Sequence, residues 1–210
     1  MMSNSVLELK DVSISLGGKQ LLEINCSVGP GEILTVMGPS GSGKSSLLVY
    51  IAGFLAPVFD SSGSVLVNGA DVCSLAAERR HIGLLFQDPL LFPHLSVAGN
   101  LRFALQSNAK QKNQAISEGL NDIGLAGFDG RDPSTLSGGQ ASRVALLRLL
   151  LSAPNAVLLD EPFSKLDTQL REETRTLVFD KLRASGLPTI LVTHDQADAE
   201  QAGGEIRTLL

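Results

Sequence analysis

The residues able to do chemistry in this sequence stand in a few short clusters. Gly38-Pro39-Ser40-Gly41-Ser42-Gly43-Lys44-Ser45 matches the phosphate-loop pattern G-x-x-x-x-G-K-[ST] at every fixed position. Glycines let the backbone approach an anion closely, and successive N–H groups at a helix start attract phosphate oxygens. Lys44 would reach the β- and γ-phosphates and the Ser45 hydroxyl would hold Mg²⁺, with Ser46 continuing the binding stretch. Asp160-Glu161 follows the apolar run Val157-Leu158-Leu159. With a phosphate loop in the same chain, Asp160 is the expected carboxylate on the Mg²⁺ side, and Glu161 the group that orients or polarises an attacking water. His194 and Gln87 each end another apolar run. His194 could contact the γ-phosphate or the water, and Gln87 could sense both Mg²⁺ and that water. Together these types point to phosphoryl transfer from a nucleotide to water. Taken alone, His194 or Gln87 reads as an ordinary polar residue, and Asp160-Glu161 as an acidic strand end.

The surrounding pattern supplies elements to hold them. Ile33-Leu34-Thr35-Val36-Met37 has the length of a buried strand and leads into the phosphate loop, after which Ser46-Leu47-Leu48-Val49-Tyr50-Ile51-Ala52 reads as a helix. Val6 to Leu16 alternates apolar and polar residues, and Gly17-Gly18-Lys19-Gln20 turns it into a second β segment, Leu21 to Val28. Pro57 to Gly63 reads as a loop before a strand at Ser64–Asn68, and His81–Phe86 as a short strand delivering Gln87. Pro89, Pro93 and Pro133 punctuate the next stretch, with helical patterns at Val97–Leu105 and Gln111–Ile123. Ser137 opens a long helix carrying Val144, Leu147, Leu150 and Leu151. Strands at 156–159 and 189–193 flank a helix near 169–185, and an edge strand closes the chain at 204–209. Strands alternating with helices predict an α/β fold with a mainly parallel sheet and its reactive groups at strand C-termini. The expected organisation is one domain, its core formed by 1–87 and 138–210 and a helical lobe inserted at about 88–137.

Composition narrows the classes. The 210 residues are 43% hydrophobic and 19% charged, a globular balance, and the net charge of −5 argues against a nucleic-acid partner. Two cysteines, Cys26 and Cys73, make neither a disulfide framework nor a metal site. The first residues lack a signal-peptide pattern, and no apolar run approaches the roughly 20 residues that span a bilayer. The expectation is a chain soluble by itself in a reducing cytoplasm. Glu78-Arg79-Arg80 reads as a solvated charged face, and His81 and His94 as surface or packing residues.

Over almost its whole length the chain resembles the ATP-binding subunits of ABC transporters. Leu136-Ser137-Gly138-Gly139-Gln140 matches the family signature, Ser164-Lys165-Leu166-Asp167 the D-loop, Gln87 the Q-loop and His194 the switch histidine, all in the family's order. The resemblance implies a P-loop NTPase core with an antiparallel β subdomain and an inserted helical lobe. It also implies hydrolysis of ATP with Mg²⁺ between two copies facing head to tail. Lys44, Gln87, Glu161 and His194 would be the catalytic groups, and Ser45, Gln87 and Asp160 the metal-side groups. Gly38 to Ser46 would hold the phosphates from one side and Ser137, Gly138, Gly139 and Gln140 of the second copy from the other.

Arg79-Arg80-His81-Ile82-Gly83 through Leu91-Phe92-Pro93-His94-Leu95-Ser96-Val97 is similar to subunits of bacterial importers for small solutes and ions. There the Gln87–Leu105 region contacts a membrane permease at the cytoplasmic face. The other readings are a membrane-associated ABC ATPase of lipoprotein release or cell division, and a soluble ABC ATPase. Three departures stand out. Leu16 occupies the place where most relatives carry an aromatic that stacks on adenine. Ala141-Ser142 follow Gln140 where relatives often have glutamines. The sequence also stops just after the core, so an extra regulatory domain is not expected.

Overall fold

A computed structural model describes residues 5–105 and 109–209; the first four residues of the N-terminal stretch read for a signal peptide lie outside them. In chain order the strands and helices are β1 (Leu7–Leu16), β2 (Lys19–Val28), β3 (Ile33–Met37), α1 (Lys44–Ala52), β4 (Phe59–Val67), β5 (Ala70–Asp71), β6 (Ile82–Leu85), α2 (Val97–Ala104), α3 (Ala109–Asp122), α4 (Gly138–Leu151), β7 (Ala156–Asp160), α5 (Thr168–Ser185), β8 (Thr189–Val192), α6 (Gln196–Ala202) and β9 (Ile206–Thr208). By packing they fall into two compact units. One comprises Met1–Leu84, Pro154–Glu161 and Phe179–Leu210, the other Leu85–Ala153 and Pro162–Val178.

In the first unit, β1 explains an irregularity of its own sequence. Its buried apolar residues are Leu7 and Leu9, then Val12 and Ile14. An odd-to-even change of parity would turn the second pair outward on a regular strand, because side chains alternate with period two. A bulge removes the conflict. Registers with β2 and β4 both shift beyond Leu9–Lys10, and Asp11 takes φ +50°. Gly63 on β4 faces this bulge at φ +91°, where a Cβ would run into the Asp11 carbonyl. The antiparallel sheet has the order β2-β1-β4-β5.

The second sheet has the order β6-β7-β8-β3-β9, with β7, β8, β3 and β9 parallel to their neighbours. Strands β3, β7 and β8 are continuously buried runs rather than alternating ones, as a parallel sheet covered on both faces requires. Val36 and Asp160 both pair with Val192, so the chain leaves three neighbouring strands at one edge. Gly38, Glu161 and Thr193-His194 emerge there.

The second unit has its own core. Val97 and Leu101 of α2, Ile116 and Leu120 of α3, and Val144 and Leu147 of α4 pack together with Ile123 and Leu125. Leu150 and Leu151, placed on the same periodicity as Val144, are only half-buried. Fully buried Asn100 holds the preceding loop through bonds to the Phe92 N–H (2.7 Å) and to the Phe92 and Ser96 carbonyls (both 3.1 Å).

Local expectations fail where tertiary pairing outweighs local character. The segment 57–63, expected as a loop, joins β4 from Phe59, because Phe59 to Ser62 pair with Leu16 to Ser13 on β1. Helix α6 and the short β5 were not anticipated. Arg80 is not on a solvated face: it is 7% exposed and closes the C-terminus of α1. Its guanidinium donates to the Tyr50 (3.0 Å), Ile51 (2.9 Å), Cys73 (2.8 Å) and Leu75 (3.1 Å) carbonyls. Helix-end carbonyls need such donors, and a cation suits that end of the helix dipole. Arg80→Ala is therefore expected to lower unfolding free energy by about 2–4 kcal/mol. In urea this reads as a lower midpoint at unchanged slope, only partly restored by Arg80→Lys, whose three donors cannot span four carbonyls. An unmoved midpoint would remove Arg80 from this role.

Candidate functional site

The loop after β3 is shaped by what packs beneath it. Gly43 caps α1 in the left-handed region, φ +86°. A Cβ there would meet Leu21 Cβ at 3.1 Å and Leu22 Cδ2 at 3.0 Å, so β2 presses against the loop and only glycine fits. Lys44 is 7% exposed, and its ammonium folds back to donate to the Gly38 (2.7 Å) and Pro39 (2.8 Å) carbonyls. Ser42 Oγ is buried without a hydrogen-bond partner. The α1 N-terminus and the Lys44 charge together form an anion cradle.

Beside the cradle the Ser45 hydroxyl donates to Asp160 Oδ1 at 3.0 Å. Burial pushes the Asp160 carboxyl above its usual range and the neighbouring Glu161 charge adds to this, while the Ser45 bond and Lys44 pull it down. Such a half-buried oxygen pair suits a hard cation. Glu161 adopts φ +45°, rare for a residue with a side chain, and its N–H donates to Val192 O at 2.9 Å. His194 Nδ1 lies 3.1 Å from Glu161 Oε1. The turn carrying His194 is braced by α6. Thr193 Oγ1 donates to buried Asp198 Oδ2 (2.9 Å) and accepts from Asp195 N–H (3.1 Å), while Asp195 Oδ1 accepts from Ala197 N–H (2.8 Å) at the helix start. An aspartate followed by Gln196-Ala197-Asp198-Ala199 is an N-cap signal that could have revealed this helix.

The loop and Glu161 border a cavity of about 380 Å³ lined by Ser40, Gly41, Gly43, Lys44, Ser45, Ser46 and Glu161, together with Leu16, Leu21 and Phe59. Leu21 and Phe59 had not been singled out in the sequence. A cavity of about 350 Å³ beside Glu32 and Gly204 contains none of the predicted residues.

The first unit thus brings Lys44, Ser45, Ser46, Asp160, Glu161 and His194 together. Gln87 and Ser137 to Gln140 belong to the second unit. There the Gln87 amide donates to Ser164 Oγ at 2.9 Å and Lys165 pairs with Asp88. Ser137 caps α4 through a reciprocal box: its hydroxyl accepts from Gln140 N–H (3.3 Å), and its N–H donates to Gln140 Oε1 (3.0 Å).

Comparison with known proteins addresses the family. Residues 21–164 match the family description of ABC transporters. The chain is 46% identical over 196 residues to YnjD of Escherichia coli, named an uncharacterised ABC transporter ATP-binding protein, covering 92% of this chain and 90% of that one. It is 37% identical over 202 residues to the spermidine/putrescine import ATP-binding protein PotA of Mesoplasma florum, covering 94% of this chain and 57% of that one. It is 42% identical over 180 residues to the Fe(3+) ions import ATP-binding protein FbpC of Rhizobium etli, covering 84% of this chain and 50% of that one. The chain therefore spans only about half of PotA and FbpC. On the match over residues 21–164 and on these relationships, the chain belongs to the ABC transporter family, as one of its ATP-binding proteins.

Proposed function

We propose that this chain is the ATP-hydrolysing subunit of a membrane importer for a small solute or ion. The observation carrying this reading is the convergence of Lys44, Ser45, Asp160, Glu161 and His194 at one sheet edge. Loop N–H groups and the Lys44 ammonium receive the β- and γ-phosphate oxygens. Ser45 and Asp160 would hold Mg²⁺, which would neutralise phosphate charge. Glu161 accepts a proton from the attacking water as the water oxygen bonds the γ-phosphorus. The bond from that phosphorus to the bridging oxygen breaks, and its electron pair leaves on ADP. His194 steadies the Glu161 carboxylate through Nδ1. A second copy would add its Ser137-Gly138-Gly139-Gln140 turn, whose capped helix start suits an anion.

The importer assignment rests on the names of PotA and FbpC. It also draws on an apolar surface in the Gln87–Leu105 region. Leu90 and Phe103 are 57% and 72% exposed there, on a segment fixed by Asn100 and by Arg148 donating to the Pro89 and Leu90 carbonyls. Such a patch fits a permease segment. No helix among the described residues is long and apolar enough to cross a membrane, so the expected place is peripheral, at the cytoplasmic face of the permease.

Glu161→Gln is expected to keep ATP binding while lowering turnover roughly 10²-fold or more, with retained ATP holding two copies together on a sizing column. Near-normal turnover would take Glu161 out of its role.

Asp160 adds a stability test. Its raised carboxyl favours the proton in the folded state, so the ionised form at neutral pH opposes folding, and stability falls as pH rises through the raised range. Asp160→Asn should raise the melting temperature at pH 7 without nucleotide and abolish Mg²⁺-dependent turnover. The gain should shrink as pH falls towards the ordinary carboxylate range, because the raised native carboxyl takes up its proton before an unperturbed one does. A lower melting temperature at pH 7 would contradict the burial penalty.

A further inference from the structure

On the reading that ATP occupies the phosphate loop, we infer that Phe59 of β4 holds the nucleotide's base, gripping its flat face. Leu16, the last residue of β1, stands where the family pattern has an aromatic ring. Phe59 is its direct partner across the β1–β4 pair, so the two side chains share one face. Both line the cavity that contains Ser40, Gly41, Gly43, Lys44, Ser45 and Ser46. Leu16 is 39% exposed and Phe59 half-buried, which leaves surface of each free for a ligand. Leu21 completes the apolar part of the wall.

The cavity is divided by chemistry. Its polar side is the phosphate loop with Glu161, where the triphosphate belongs. Its apolar side, Leu16, Leu21 and Phe59, offers no side-chain donor or acceptor to a base edge. A purine lying there gains dispersion and ring stacking, which every base face can supply. Phe59 thus supplies, on the neighbouring strand, the ring that Leu16 lacks. Pairing with Leu16 and the bond from Phe59 N–H to Ala56 O (3.1 Å) hold its backbone in place.

The test is calorimetric titration of the full chain with MgATP, MgGTP and magnesium tripolyphosphate, which carries the phosphates without a base. Phe59→Ala, and Phe59→Leu as the variant that preserves apolar packing, are expected to weaken ATP and GTP about tenfold, equivalent to about 1.4 kcal/mol. Tripolyphosphate affinity should stay unchanged. Because the chain has no tryptophan, Phe59→Trp provides a single reporter. Its emission should change on adding ATP and stay constant on adding tripolyphosphate. Unchanged ATP affinity in Phe59→Leu with an indifferent tryptophan would overturn the inference. So would equal losses for ATP and tripolyphosphate, which would make Phe59 a packing residue. Failure of the unaltered chain to bind ATP would instead overturn the ATP reading itself.

Discussion

Val36, Val192 and Asp160 stand side by side in one row of parallel backbone pairing, and every reactive group of the site depends on that register. A slip of one residue on β7 would turn Asp160 to the other face and carry Glu161 away from His194. The register is secured by burial. Val36, Leu158, Ile190 and Val192 are wholly enclosed, and a shift would have to bury different side chains in a close-packed interior. Lys44 and Ser45 come from far earlier in the chain, yet they reach the same edge because β3 lies beside β8.

The site collects features that a stability optimum would avoid. Asp160 is half-buried with its charged form disfavoured, Glu161 sits at positive φ, and Ser42 Oγ is enclosed without a partner. The backbone strain at Glu161 and the unpartnered Ser42 hydroxyl each cost on the order of 1–3 kcal/mol in the isolated fold. Asp160 lies where a cation beside Ser45 would satisfy it, and Glu161 lines the cavity next to the phosphate loop. A group preorganised in this way needs little reorganisation when charge develops during phosphoryl transfer. Arg80, by contrast, places a buried charge where four carbonyls already satisfy it, and serves the fold rather than the reaction.

Much of this was legible in the sequence, for identifiable reasons. The phosphate loop was recognisable because it needs fixed residue types between a strand and a helix. Asp160-Glu161 and His194 followed from apolar runs of strand length. Phe59 was not legible, because Phe59-Asp60-Ser61-Ser62-Gly63 has the composition of a loop and becomes a strand only by pairing with β1. The β1 bulge was missed: Val6 to Leu16 was read as plain alternation, although the apolar positions change parity between Leu9 and Val12, and its partner Gly63 gave no sign. Arg80 resembled its exposed neighbours Glu78 and Arg79, since adjacent charges give no sign of which one turns inward. Asn100 likewise gave no warning that it would be fully buried.

The most direct test of the site is the MgATP affinity of Lys44→Ala, measured by calorimetry beside the unaltered chain, with urea unfolding to establish that both are folded. Among the described residues, Lys44 supplies the one cationic side chain lining the cavity beside the loop. The expected result is an affinity weaker by at least about thirtyfold, equivalent to about 2 kcal/mol, the loss of one charge-assisted contact to phosphate. An affinity within about threefold of the unaltered chain, in a folded protein, would contradict binding of the triphosphate at this loop.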